Sequence, residues 1–313
     1  MDQEKFHDRG YKMLFSHPRM VKELILSFVR EEFVNDIDFS TLKRTFNSFV
    51  TEEFRERESD IIWQVDIKDS TVYFYLLIEF QSTVDRFMVL RLLSYLMLFY
   101  LELIKDDNVR KRERLPAVFP VLLYSGEDTW TAPQSIEEII QIPSCMPSSF
   151  IPVFRYYKIA ENEWSSESLL LMNNIVSRLF LIETSEVLKI GEVIGEAIDV
   201  LKREVDSELQ RSFGMWLRWS LRKRKIYAEI DIETMTGQEV RTMLEANLRR
   251  HEEELLEKGR LAGIQEGMEQ GMGKGMEKGR LERDLTHARE MKALNVDREI
   301  IRKVTGIDID TIE

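Results

Sequence analysis

Apolar residues recur at helical spacing through MVKELILSFVREEF (20–33): Met20, Leu24 and Phe28 form one stripe, with Val21 and Ile25 beside it. An amphipathic helix is predicted there. The period then changes. DIIWQVDI (60–67) and VYFYLLIEFQS (72–82) are rich in β-branched and aromatic residues, the composition of strands. KDST lies between them and predicts a four-residue hairpin loop, with Asp and Ser as turn formers. Asp85 reads as the N-cap of a long apolar helix running to about Lys105. Beyond it, AVFPVLLYSG (117–126) predicts a buried strand ending in a glycine turn, and VFRYYKI (153–159) a further strand. From Ser165 to about Tyr227 the spacing is helical again, with Ser165 or Ser166 as cap and Glu167 in the first turn. The order is helix, strand meander, helix, strand, strand, then helices.

The C-terminal segment follows another rule. Glycines fall at 259, 263, 267, 271, 275 and 279, a strict four-residue period, with Gly273 in addition. Each glycine weakens a helix interior by about 1 kcal/mol, which argues for a frayed or disordered tail. A period of four also traces a ridge where another backbone can approach closely, and the intervening residues are good helix formers. The second reading, a helix that self-associates or packs on the body, is preferred. The last stretch, HAREMKALNVDREIIRKVTGIDIDTIE, predicts two short helices joined by a turn near Asn295 and Val296, with Asp297 capping the second and Gly306 ending it. Three regions result: a core over 1–160, a helical extension over 161–235, and the glycine-repeat helix with its terminal pair over 236–313.

Charge narrows the partners. The formal net charge is −12, so the whole chain does not advertise nucleic-acid binding, and any DNA must be attracted locally. Two basic clusters could do this: Arg110, Lys111, Arg112 and Arg114 in one loop, and Arg218, Arg222, Lys223, Arg224 and Lys225 beside Trp216 and Trp219. Each competes with the reading of a solvated face. The single cysteine, Cys145, excludes an intramolecular disulfide and fits a reducing, cytoplasmic setting. FMVLRLLSYLMLFYLELI (87–104) is the most membrane-like stretch, but Arg91 and Glu102 within it favour a helix buried in a protein core. No membrane association is expected.

The chemistry lies in the hairpin. If residues 68–71 form the loop, Ile67 faces Val72, and the same register sets Asp60 opposite Glu79. Opposed residues of an antiparallel pair share a face, with Cβ atoms about 4.5–5.5 Å apart. Gln81, two residues beyond Glu79, falls on that face too. A two-residue slip preserves the cluster and a one-residue slip destroys it. Asp66 shares the face but lies about 20 Å along the strand, at ~3.3 Å per residue. Two carboxylates this close repel unless a cation neutralises them, and Mg²⁺ or Mn²⁺ suits an oxygen-donor pair. The competing reading, a solvent-facing acidic pair at a strand end, is weakened because Glu79 and Gln81 interrupt a run built for burial.

The segments HDRGYKMLFSHP, ESDIIWQV and IEFQSTVDRFMVLRLLSYLMLFY together resemble the recombination-promoting nuclease family, the Rpn or YhgA-like proteins also described as transposases. That family is placed in the PD-(D/E)xK nuclease superfamily, and the likeness covers roughly residues 5–240. It implies an α/β, restriction-endonuclease-like core, with a mixed central sheet flanked by helices and a helical C-terminal region. By position, Asp60 matches the superfamily's metal-binding aspartate and Glu79 its second acid. Gln81 stands where a lysine usually stands and would orient water by hydrogen bonding. Asp8 is either a further metal ligand or a helix cap. Arg91, with Tyr95 one turn on, is either a supporting cation or one side of a salt bridge. The resemblance implies Mg²⁺- or Mn²⁺-dependent hydrolysis of DNA that promotes recombination or transposition-like events. The alternative is a catalytically weak or inactive DNA-binding or regulatory protein on a nuclease scaffold, acting in transposition or phage defence.

Overall fold

The computed structural model describes residues 3–45, 60–68, 70–79, 84–185, 189–204 and 206–308; for Asp8, Asp60 and Glu79 it describes the backbone. Residues 1–247 and 248–313 form two compact units.

The first unit is built on a five-stranded sheet in the order β1-β2-β3-β4-β5. The strands are β1 (Ile37–Arg44), β2 (Asp60–Ile67), β3 (Ser70–Glu79), β4 (Ala117–Tyr124) and β5 (Tyr157–Ala160). β1, β2 and β3 are an antiparallel meander, whereas β3, β4 and β5 run parallel. Ahead of the meander come α1 (Gln3–Leu14) and α2 (Pro18–Phe28). α3 (Met88–Leu103) and the single turn α4 (Asp107–Arg110) carry the chain from β3 to β4. After β5 follow α5 (Ser166–Met172), α6 (Ile175–Thr184), α7 (Ile190–Leu201) and α8 (Ser207–Lys223). This mixed sheet flanked by helices is the α/β class expected, and it is compatible with a PD-(D/E)xK fold.

Burial explains the layers. On one face Tyr73, Tyr75, Leu122 and Tyr124 pack against Met88, Val89, Leu92, Tyr95, Phe99 and Leu103 of α3. Each such apolar side chain contributes about 1.5–3 kcal/mol on leaving water. The apolar stretch over 87–104 is therefore a core helix, and among the described residues no helix is long and apolar enough to cross a membrane. On the other face the indole of Trp63 donates to the Phe15 carbonyl at 3.1 Å, fixing the end of α1 against β2. Val121, Leu122, Leu123 and Tyr124 of β4 are all buried, as a strand covered on both faces requires.

Several local boundaries depart from the expectations. α2 stops at Phe28, short of residue 33, and β5 begins at Tyr157, not at 153. The first of the two expected terminal helices is the end of one long helix, Gly237–Ala293. Three further departures concern the sheet and its flanks. β1 was not anticipated; only Leu42 within it is buried, so its apolar alternation is faint. Asp85 does not cap α3 directly. It accepts from the Phe87 amide at 2.8 Å, and the helix begins at Met88 with Phe87 as its N-cap. The hairpin loop is not four residues: Ile67 pairs with Ser70, leaving two residues between the strands. Lys68 makes that turn with φ 53°, the left-handed conformation tight hairpins need.

In the second region α9 (Gly237–Ala293) is one continuous helix, and α10 (Arg298–Thr305) follows it. Asp297 caps α10 by accepting from the Glu299 amide, and Gly306 ends it at φ 72°. Ala288 and Ile301 are buried together, with Leu285, Met291, Val296 and Ile307 around them.

Candidate active site

The two-residue loop changes the register by two. Asp60 pairs with Leu77, not with Glu79 as the four-residue loop required. Parity is preserved, so Asp60 and Glu79 still occupy same-face positions, now on a diagonal. Diagonal positions lie about 7–8 Å apart, against 4.5–5.5 Å for direct opposition. Asp60 is the first residue of β2 and Glu79 the last of β3, so both stand at the open end of the hairpin. Glu79 is in register with Tyr124 of β4, and Tyr124 with Ala160 of β5. One edge of the sheet thus gathers the ends of four strands. The face shared by Asp60 and Glu79 is that of Tyr73 and Tyr75, which α3 covers.

Gln81 lies outside the described residues. Asp8 falls in α1, with only its backbone described. Arg91 donates through Nη1 to Asp85 at 3.0 Å and through Nε to the Tyr95 hydroxyl at 3.1 Å, a half-exposed ion pair. At the turn end of the hairpin, Asp66 accepts from the Thr71 hydroxyl at 3.0 Å, far from the open end along the strand. Among the described side chains no three His, Cys, Asp or Glu come together as metal ligands. Any metal here would be held by Asp60 and Glu79, and the register fits that role by setting two acids on one face of one edge.

The basic clusters differ in their environments. Arg110, Lys111 and Arg112 are exposed around the end of α4. Arg222 and Lys223 are exposed at the end of α8, and Lys223 lies over the Trp219 ring, 5.9 Å from its centroid. Arg224 instead donates to the carbonyls of Ile182, Glu183 and Ser185 at 2.6, 2.8 and 2.7 Å. Those carbonyls close the C-terminus of α6, where a cation also meets the negative end of the helix dipole.

Sequence reasoning missed one group on this edge. Glu161 directly follows β5 and is 2% exposed. Its Oε2 accepts from the Ser125 hydroxyl at 2.9 Å. Burial drives its carboxyl well above the usual carboxylate range, and the charge of Glu183 pushes the same way, while Tyr11 and Ser125 partly oppose them. Tyr11 on α1 is buried against it, and its phenol is likewise raised, by burial first and by Glu161 and Glu183 next. Nothing in the run YKIAENEW separates Glu161 from an ordinary acid after a strand. Only its position immediately behind a buried strand end was a signal.

Residues 5–210 match the family described as "Putative transposase, YhgA-like". The chain is 34% identical over 120 residues to the recombination-promoting nuclease RpnD of Escherichia coli O157:H7, covering 38% of this chain and 45% of that protein. It is 28% identical over 120 residues to the recombination-promoting nuclease RpnA of Escherichia coli K12, covering 38% and 40%. It is 27% identical over 121 residues to the inactive recombination-promoting nuclease-like protein RpnE of the same strain, covering 39% of each chain. The chain thus spans less than half the length of these relatives. No solved structure matches it.

Proposed function

We propose that this chain, which belongs to the YhgA-like transposase family, is a metal-dependent endonuclease that hydrolyses DNA phosphodiesters and so promotes recombination or transposition-like events. The observation that carries this reading is the β2–β3 register, which sets Asp60 and Glu79 on one face at the open end of the hairpin. Aspartate and glutamate arms across such a diagonal can close on a single small ion. Mg²⁺, or Mn²⁺ in its place, commonly takes one or two carboxylates and completes its shell with water and phosphate oxygens. When bound, the ion supplies an activated water and neutralises charge on the phosphoryl oxygens. The chain's own residues do the rest. Asp60 and Glu79 hold the charge at the sheet edge, and Gln81 orients water by hydrogen bonding. Arg110, Lys111, Arg112, Arg222 and Lys223 offer exposed positive charge to the phosphate backbone, which a chain of net charge −12 needs locally.

A second reading has its own support. The relative RpnE carries the word inactive in its name, and Gln81 replaces the usual lysine with a group that cannot stabilise a developing negative charge. On that reading the chain binds DNA without cutting it. α9 adds a self-association role under either reading: Ile264, Met268, Met272 and Met276 are exposed beside the glycine ridge.

Plasmid nicking with and without Mg²⁺ tests the proposal. Wild type is expected to convert supercoiled to open-circular DNA only with the ion, and Asp60→Ala is expected to be inert while melting normally. Salt-dependent DNA binding with no cutting in Mg²⁺ or Mn²⁺ would select the second reading.

A further inference from the structure

α3 is apolar on both of its sides. The inner side packs on the sheet, yet every exposed position from 87 to 104 falls on one outer row: Phe87, Leu90, Ser94, Met97, Leu101 and Ile104. Five of these six are large apolar residues, 39–57% exposed. Their spacing is three, four, three, four, three, the heptad spacing of a helix that faces another helix. A helix apolar all round is ordinarily buried, and a contiguous exposed apolar stripe marks a docking surface. We infer that the outer row of α3 receives α3 of a second copy of this chain, antiparallel about a two-fold axis.

The spacing reads the same in either direction, so the row fits itself. A two-fold axis between Ser94 and Met97 sets Phe87 opposite the partner's Ile104, Leu90 opposite the partner's Leu101, and Ser94 opposite the partner's Met97. Such an isologous contact uses one patch twice and closes at two copies. Its middle is apolar. Leu93 and Leu98, both half-buried, flank it on either side, and the Ser94 hydroxyl already donates to the Arg91 carbonyl of its own helix at 2.7 Å. Leu115, 45% exposed, widens the patch beside Tyr100, whose hydroxyl donates to the adjoining Pro116 carbonyl at 3.0 Å.

The charges stand at the two ends, as at the rim of an interface. Asp85 pairs with Arg91 at one end and Glu102 with Lys105 at the other. Beyond those pairs Arg86 precedes the helix, and Asp106 and Asp107 follow it, all three exposed. Antiparallel pairing brings unlike ends together and opposes the helix dipoles, whereas parallel pairing stacks like on like. The row shares no residue with the glycine ridge of α9, and the inference does not depend on DNA being cut.

Disulfide trapping in the full chain tests it, with Cys145→Ser removing the native thiol. Leu90→Cys/Leu101→Cys is expected to give a covalent dimer on oxidation, because each new thiol faces the other kind across the axis. On one helix the two positions lie roughly 16 Å apart, too far to close within a chain. Each single variant is expected to stay unlinked. A double variant that remains monomeric on oxidising gels would overturn the inference, as would trapping by Leu90→Cys alone, the mark of a parallel pair. Light scattering supplies a second reading in the Gly267→Leu/Gly271→Leu background, where the α9 ridge is blocked. There Leu90→Glu/Leu101→Glu, at exposed positions that leave the core intact, is expected to halve the mass. An unchanged mass with an unchanged circular dichroism spectrum would assign the row to another partner and overturn the inference.

Discussion

Residues 1–247 and residues 248–313 are both rich in helix but are built on opposite rules. In the first unit, helices exist because a sheet needs covering: α3 sets Met88, Leu92, Tyr95 and Phe99 against Tyr73, Tyr75 and Leu122. In the second, Gly259, Gly263, Gly267, Gly271, Gly275 and Gly279 face open space, and Met268, Met272 and Met276 are about 70% exposed. The stretch of α9 over 259–279, with a glycine every four residues and its methionines exposed, has little of its own to hold it in water, since packing supplies most helical stability in proteins. The contrast separates two jobs. The first unit can hold side chains within ångströms of one another, which chemistry requires. The second offers a repeating surface, which suits association between copies.

The largest effect that would sharpen this contrast concerns cutting. Glu79→Ala is expected to slow plasmid nicking about a thousandfold, several kcal/mol of transition-state stabilisation, whereas ending the chain at residue 247 is expected to change the rate less than about twofold. A truncated chain that loses activity as fully as Glu79→Ala would erase the division of labour. Next comes stability. Phe99→Ala removes a buried ring from the α3 seam and is expected to cost about 3–5 kcal/mol in chemical denaturation. Met272→Ala, on an exposed ridge, is expected to stay within about 0.5 kcal/mol. Association is third: Gly267→Leu/Gly271→Leu blocks close approach along the ridge and is expected to lower the mass seen by light scattering, without altering nicking. An unchanged mass would remove α9 from assembly.

The smallest expected effect is a pH dependence confined to the first unit. His17 is buried, and its Nε2 lies 2.9 Å from the Ser212 hydroxyl. Burial is the main cause holding its pKa below the ordinary 6.5. The unfolded chain therefore binds this proton more readily than the folded one. Stability from the neutral ring is fully present above about pH 6.5 and declines as pH falls through the lowered folded value. His17→Gln is expected to flatten that decline in melting curves between pH 7 and 5. A decline equal to that of wild type would place its origin elsewhere.

Much of the architecture was legible because its signals are local. The strand composition of DIIWQVDI and VYFYLLIE, the apolar run of α3, Ser165 capping α5, and Asp297 with Gly306 bounding α10 all act within a few residues. The hairpin loop was misjudged because Ser70 and Thr71 look like turn formers but pair with Ile67 and Asp66, while Lys68 adopts the left-handed conformation that composition does not favour. The shared face of Asp60 and Glu79 survived that error only because the register moved by an even number. β1 escaped notice because one buried residue leaves almost no pattern to read. Glu161 left only its place behind a buried strand end to be read. Its burial depends on Tyr11, Ser125 and Glu183, which fold around it from three other elements, and no spacing along the chain encodes that meeting.

The most direct test asks whether the two hairpin acids act as one unit. Nicking rates of wild type, Asp60→Asn, Glu79→Gln and the double variant, in saturating Mg²⁺, form a mutant cycle. Two ligands of a single ion give a strongly non-additive result, with the double variant scarcely slower than either single one. Independent, multiplying losses, or single variants that cut at the wild-type rate, would contradict the account.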